Sequence, residues 1–143
     1  MATDRRAEVT WNGSLMEGSG RIDRTQPGVL GGEKLTWNAR TGEGEGTSPE
    51  DLIAAAHAAC FSMALSHGLA QAGTPPDELR VSATSTFVPG TGITAMRLEL
   101  SGRVPGLDED GFRTAAEGAK ENCPVSKALA GNVEITLDAR LEG

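Results

Sequence analysis

One stretch constrains the fold more than any other, because residues 52–72 carry no formal charge. Ser48 can cap a helix, Pro49 suits the first helical position, and Asp51 completes a capping-box pattern. Gly73 and the two prolines that soon follow it predict the helix end. The expected helix has roughly 24 residues and a length of about 36 Å. Because it is apolar nearly all round, we expect burial on most of its sides.

Composition and charge narrow the class of protein. The uncharged stretch contains His57, Ser62 and Gln71, together with much alanine and glycine, whereas a bilayer span requires about 20 strongly apolar residues. Twenty acidic and thirteen basic side chains give a net charge of -7, which disfavours nucleic acid. Residues 1–11 lack the apolar run of a secretory signal. We therefore expect a cytoplasmic protein that binds neither nucleic acid nor membrane.

The rest of the pattern predicts one α+β domain over residues 1–143, without repeats or a linker. Short alternating runs separated by glycine or proline indicate strands, and the apolar spacing changes to a helical period in the second half. The predicted elements are strands at 6–11, 15–22 and 34–37, a glycine-rich connecting loop at 41–48, the long helix, a hairpin of 79–88 and 93–104, helices at 107–122 and 124–130, and a closing strand at 133–141.

The two cysteines, Cys60 and Cys123, direct the search for chemistry. In the cytosol thiols are kept reduced, so a disulfide there is usually catalytic or redox-sensing. Cys60 lies within the long helix, where an inert packed thiol is the alternative. Cys123 precedes Pro124 at the expected N-cap of a short helix, where unpaired N–H groups favour a thiolate. Two such thiols could reduce a peroxide through a sulfenic acid and a disulfide, which an external thiol would reset.

A metal site would use some of the same side chains. His57 and Cys60 share a helix face and could bind one ion, with Cys123 as a third ligand. A fourth ligand is not evident in the sequence, and there is no Cys-x-x-Cys pair. We therefore expect no metal and no cofactor, and we expect His57 and His67 to pack or to form hydrogen bonds.

Two segments resemble the OsmC/Ohr family of hydroperoxide reductases. Residues 47–65, Thr-Ser-Pro-Glu-Asp-Leu-Ile-Ala-Ala-Ala-His-Ala-Ala-Cys-Phe-Ser-Met-Ala-Leu, resemble the signature helix of that family. Cys123-Pro124-Val125-Ser126 resembles the second cysteine motif of the same family. The likeness extends from Trp11 to residues 133–138 and covers nearly the whole chain. The form of the second motif and the position of Arg40 two residues after an asparagine are closer to the OsmC branch.

The resemblance implies an OsmC-like fold, with antiparallel sheets around a long central helix in an intertwined homodimer. It implies a peroxidase for organic hydroperoxides, in which Cys60 attacks and Cys123 resolves. The implied reductant is a dithiol such as dihydrolipoamide or a lipoylated protein. The family's site arginine and glutamate correspond to Arg40 and Glu50. In the Ohr branch the arginine comes from an earlier glycine-rich segment, so Arg21 is the rival.

Helix geometry limits which residues of the implied site can meet within one chain. Glu50 and Cys60 lie about 15 Å apart along one predicted helix and cannot touch within a subunit. A site containing both needs a partner chain, and two antiparallel copies of the helix would also bury its apolar surface. The Arg40 guanidinium would favour a Cys60 thiolate, and Glu50 would hold it in a bidentate fork. Phe61 and Met63 would favour a bulky organic peroxide.

Alternatives remain for the function and for the individual residues. The same thiols could serve a redox sensor without turnover, which a peroxide-consumption assay with a dithiol would detect. A non-enzymatic dimeric binding module, in which Cys60 only packs, predicts that Cys60→Ser changes no activity. Without the resemblance, the sequence favours a solvated loop arginine for Arg40. For Glu50 it favours an acid at the helix start, where the helix dipole stabilises negative charge.

Overall fold

The computed structural model describes residues 2–26, 28–42 and 44–142. The chain forms two compact units, Met1–Leu52 and Ile53–Gly143, here called the first and second units. Each contains a three-stranded sheet. The glycine-rich loop expected at 41–48 includes Glu43, which lies outside the described residues. The expectation of one domain over the whole chain stays a prediction.

The first unit is built on an antiparallel sheet in the order β1-β2-β3, formed by Ala7–Asn12, Ser19–Thr25 and Lys34–Leu35. The third strand was predicted to continue to residue 37, and this is wrong. Thr36 instead caps a short helix α1 (Trp37–Thr41), because its Oγ1 accepts a hydrogen bond of 2.9 Å from the Ala39 N–H. The helix ends at Gly42, whose φ of 108° is left-handed.

The long helix α2 spans Pro49–Gln71 and begins and ends as predicted. Ser48 Oγ accepts a 3.1 Å hydrogen bond from the Asp51 N–H, which is half of the predicted capping box. The left-handed Gly73, with φ of 88°, follows the last turn. By length and composition α2 is the one helix in the described residues that could cross a membrane, and 22% of the window that meets this criterion is buried.

In the single chain α2 is buried along one face, so its expected burial on most sides, which was assigned to a partner chain, stays a prediction. Apart from Glu50 near its start, the buried side chains of α2 are His57, Phe61, Leu65 and Leu69, which repeat at helical spacing along one face. Met63 is 72% exposed. The reason is that the core of the second unit packs against one face of the helix, where Phe61, Leu65 and Leu69 contribute to it.

The second unit contains the predicted hairpin, formed by β4 (Glu78–Val88) and β5 (Gly92–Arg103), and the strand β6 (Glu134–Leu141) beside β5. The predicted alternation along β5 is confirmed, since Met96 and Leu98 are buried whereas Arg97 is exposed. The mixed α+β class is also confirmed. One detail differs from the expected antiparallel sheets, because β6 pairs parallel with β5. Two helices connect these strands, and such a crossover returns the chain in the same direction.

The two connecting helices, α3 (Glu109–Asn122) and α4 (Pro124–Leu129), place Cys123 between them. Phe112 anchors α3 in the core and is fully buried. A Cβ at Gly102 of β5 would lie 2.9 Å from the Phe112 ring, so the missing side chain permits this close packing. The position of Cys123 therefore depends on how α3 packs against the sheet.

Candidate active site

The second unit brings the two predicted cysteines together. Cys60 lies on α2 and is half-buried, while Cys123 is fully buried at the N-cap of α4, and both are free thiols. Cys60 packs against the core cluster that contains Cys123. The two thiols are close enough for Cys123 to act on the pKa of Cys60. This contact joins residues that are far apart in the sequence, as two-thiol redox chemistry requires.

The surroundings of Cys60 act on its ionisation in opposite directions. Burial raises the pKa of the Cys60 thiol above its ordinary 9.0, and the backbone N–H of Val125 opposes this by hydrogen bonding to the sulfur. The hydrogen bond and the charge interaction with Cys123 raise the pKa further. The unpaired N–H groups at the start of α4 were expected to favour a thiolate at Cys123. In the described helix Cys123 makes no side-chain capping bond, and the Val125 N–H is directed at Cys60 instead.

A buried polar pair lies beside the thiols. His57 Nε2 and Ser126 Oγ are 2.8 Å apart, and the two residues are 0% and 3% exposed. Burial lowers the pKa of His57 below its ordinary 6.5, so the ring is neutral at neutral pH. The expectation that His57 forms a hydrogen bond is confirmed. Ser126 was not proposed from the sequence as a functional residue. Ser126 follows Cys123 at the same spacing at which Cys60 follows His57. Among the described residues, no three His, Cys, Asp or Glu side chains are grouped to hold a metal ion.

The first unit contains the predicted arginine–glutamate fork. Arg40 donates from Nε to Glu50 Oε1 over 2.9 Å and from Nη2 to Oε2 over 3.0 Å. The Glu50 side chain is 8% exposed and that of Arg40 is 30% exposed. Such a bidentate pair fixes the plane and direction of the guanidinium.

Arg21, the rival arginine, has different surroundings. Its side chain is 65% exposed and pairs with Asp23 over 3.0 Å. A hydrogen bond from Thr10 and a further one from Arg21 lower the pKa of Asp23. Arg21 therefore belongs to an exposed network on the first sheet, which supports Arg40 as the site arginine.

An apolar cleft of about 350 Å³ lies next to Arg40 in the first unit. Its lining residues are Trp11, Leu15, Leu35, Thr36, Trp37, Arg40, Thr47 and Pro49. Both tryptophans of the chain line this cleft, and Arg40 is the charged residue among these eight. The apolar contacts to a substrate were expected from Phe61 and Met63 instead. Phe61 is wrong for this role, because it is 0% exposed and packs in the core of the second unit.

Comparison with known proteins decides the family. The sequence matches the family described as OsmC-like protein over residues 42–138. The chain belongs to the OsmC family. The chain is 39% identical over 145 residues to the peroxiredoxin OsmC of Escherichia coli strain K12, and the match covers 99% of each chain.

Solved structures agree with this family assignment. The crystal structure of the organic hydroperoxide resistance protein OhrB of Bacillus subtilis is 31% identical, with a TM-score of 0.66, and the match covers 94% of this chain and 97% of that one. An organic hydroperoxide resistance protein from Elizabethkingia anophelis is 26% identical, with a TM-score of 0.74, and covers 99% of this chain. The names of these relatives support a peroxidase activity.

The four predicted site residues thus form two pairs. Cys60 and Cys123 interact in the second unit. Arg40 and Glu50 share two hydrogen bonds in the first unit. The thiol pair can exchange electrons through a disulfide, and the ion pair offers an oriented positive charge beside an apolar cleft.

Proposed function

We propose that this protein reduces organic hydroperoxides to alcohols with the Cys60 thiol, and that it does so in the cytoplasm without a cofactor. The observation that carries the proposal is the contact between Cys60 and Cys123 in a chain whose full-length relative is a peroxiredoxin. The Cys60 thiolate attacks the O–O bond, so Cys60 becomes a sulfenic acid and the alkoxide leaves and takes up a proton. The Cys123 thiol then displaces water from that sulfur and forms the disulfide. A dithiol supplies two electrons and two protons to restore both thiols.

The difference in burial assigns the two thiols their roles. Cys60 is half-buried, whereas Cys123 is fully buried and has no access for a bulky peroxide. The Val125 N–H reaches the Cys60 sulfur and favours its thiolate over the thiol. Cys60 is therefore proposed as the attacking thiol and Cys123 as the resolving one.

A positive charge is needed near Cys60, because its surroundings in the second unit raise its pKa. We assign this charge to Arg40, which Glu50 orients through the bidentate fork. Glu50 and Cys60 lie on one helix at a spacing that keeps them about 15 Å apart along its axis. The proposal therefore includes a homodimer in which the partner chain completes each site. The exposed Met63 face of α2 supports such pairing, and light scattering measures the oligomeric state.

The apolar cleft supports an organic substrate. Its volume of about 350 Å³ falls within the range of small-molecule pockets, and its walls include Trp11, Leu15 and Trp37. An alkyl or aromatic group in this cleft would place its peroxide end toward the charged Arg40. The reductant is proposed to be dihydrolipoamide or a lipoylated protein, on the basis of the family resemblance.

One assay tests the proposal. Cumene hydroperoxide consumption is measured with dihydrolipoamide for the wild type, Cys60→Ser and Cys123→Ser. We expect Cys60→Ser to lose turnover, because the attacking sulfur is gone. We expect Cys123→Ser to consume about one equivalent and to stop as a sulfenic acid. Full activity of Cys60→Ser contradicts the assignment, and a single equivalent consumed by the wild type points to a sensor.

A further inference from the structure

A buried hydrogen bond connects the two segments that carry the thiols. His57 precedes Cys60 by about one turn of α2, and Ser126 follows Cys123 by about one turn of α4. Residues at this spacing share a helix face. The His57–Ser126 bond of 2.8 Å therefore lies alongside the Cys60–Cys123 contact, between the same two elements.

We propose that His57 and Ser126 are a positioning pair, whose hydrogen bond holds Cys123 against Cys60 and so sets the rate at which the disulfide closes. The part of this inference that concerns oxidation by a peroxide rests on the proposed function. The part that concerns the disulfide does not, because closure and opening of the Cys60–Cys123 bond can be measured with any oxidant or dithiol.

Three properties of the surroundings support this role. The helix α4 has 6 residues, which is too short for stability on its own, so tertiary contacts must fix its position. Both partners are buried, so water does not compete for their hydrogen bond. A disulfide requires Cα atoms within about 4.4–6.8 Å and a narrow range of dihedral angles, so a small displacement of α4 slows closure.

The state of the imidazole fits a fixed contact. The ring is neutral at neutral pH, and its Nδ1 is buried without a hydrogen-bond partner in the described part of the chain. The Nε2 bond to Ser126 thus supplies the polar contact that orients the ring. A buried polar pair adds little net stability compared with an apolar pair of the same size, so its effect is better sought in orientation.

The expected effect falls on one step of the reaction. Peroxide attack involves the Cys60 sulfur and the peroxide, and it does not require Cys123. Closure requires the Cys123 sulfur to approach the Cys60 sulfenic sulfur, form the S–S bond and release the oxygen as water with the Cys123 proton. Loss of the positioning pair should therefore slow closure and leave the first oxidation unchanged.

The test compares Ser126→Ala and His57→Leu with matched controls. Ser85→Ala removes a buried hydroxyl that has no hydrogen-bond partner among the described residues. His67→Gln changes the exposed histidine of α2. The conservative variant His57→Gln keeps an N–H at the position of Nε2. After one equivalent of cumene hydroperoxide, dimedone traps the sulfenic acid in one sample, and in a sample without dimedone the loss of the second free thiol, that of Cys123, measures disulfide closure. In parallel, dithiothreitol redox buffers give the equilibrium between dithiol and disulfide.

We expect closure to slow by about tenfold in Ser126→Ala and His57→Leu, with more trapped sulfenic acid and a more easily reduced disulfide. The first oxidation should stay within about twofold of the wild type, and His57→Gln should restore most of the closure rate. Wild-type closure in Ser126→Ala, or an equal slowing of both steps, overturns the inference. If His57→Leu does not fold, Ser126→Ala against Ser85→Ala decides the question. If the wild type consumes no peroxide, the proposed function fails, while the dithiothreitol equilibrium still tests the positioning pair.

Discussion

The two units hold their functional side chains in opposite electrostatic settings. In the second unit, burial and the neighbouring Cys123 raise the pKa of Cys60, so this unit brings two sulfurs together but favours the neutral thiol. In the first unit, Arg40 and the buried Glu50 form a charged fork beside an apolar cleft. The contact between the two thiols and the oriented positive charge thus lie in different parts of the chain. This difference means that each can be weakened without the other.

The largest expected effect comes from removing the charge in the first unit. Arg40→Ala should lower kcat/KM for cumene hydroperoxide about a hundredfold or more, because the proposed site would lose its oriented charge. Without this cation the Cys60 pKa should rise, so the pH–rate profile should move to higher pH. Steady-state kinetics across pH measure both effects. Arg21→Ala is the matched control, since its ion pair is exposed and contributes little. Equal losses in the two variants would remove Arg40 from the site.

A smaller effect should follow from opening the apolar cleft. Trp37→Ala should raise the KM for cumene hydroperoxide about tenfold, because an aromatic wall is lost. The rate with hydrogen peroxide should stay nearly constant, since that substrate has no apolar group to place there. Val29→Ala changes a residue of the first unit that is 83% exposed and serves as the control. The same change in KM for both peroxides would show that the cleft does not select organic substrates.

The thiol pair of the second unit can be separated by Cys123→Ala. This change removes the hydrogen bond and the charge interaction by which Cys123 raises the Cys60 pKa, so the Cys60 pKa should fall. The pH dependence of alkylation by iodoacetamide measures this titration, with Cys60 as the remaining thiol. We expect the alkylation curve of Cys60 in the variant to lie at lower pH than its curve in the wild type. In the wild type, mass spectrometry measures alkylation of Cys60 separately from that of Cys123. A curve that moves to higher pH contradicts the pairing.

The smallest effect concerns stability in acid. The folded pKa of His57 lies below its unfolded value of about 6.5, so the unfolded state binds more protons as the pH falls. The contribution of neutral His57 to the free energy of unfolding is complete above about pH 6.5 and is lost below it. Urea unfolding at pH 7.5 and pH 5 should show a smaller difference for His57→Gln than for the wild type. His67→Gln should keep the wild-type difference in the free energy of unfolding between the two pH values. If His57→Gln keeps that difference as well, the buried neutral ring is contradicted.

Much of the fold followed from local signals. The start of α2 depends on Ser48 and its bond to the nearby Asp51 N–H, and its end on Gly73, which follows directly after the last turn. The alternation along β5 is also local. The parallel pairing of β6 with β5 was missed because strand direction depends on the path of the connecting helices. The short helix α1 was missed because the predicted strand 34–37 was continued through Thr36, whose side chain caps the helix, into Trp37, the first helical residue.

The family motifs, the long uncharged helix and the candidate residues Cys60, Cys123, Arg40 and Glu50 could all be read from the chain. Which side chains meet became known from the folded protein. The fold brings Cys60 to Cys123, His57 to Ser126 and the Val125 N–H to the Cys60 sulfur. Trp11 and Trp37 also come to line one cleft. Caps, turns and periodicities are set by neighbours in the chain, whereas these contacts depend on how distant segments pack.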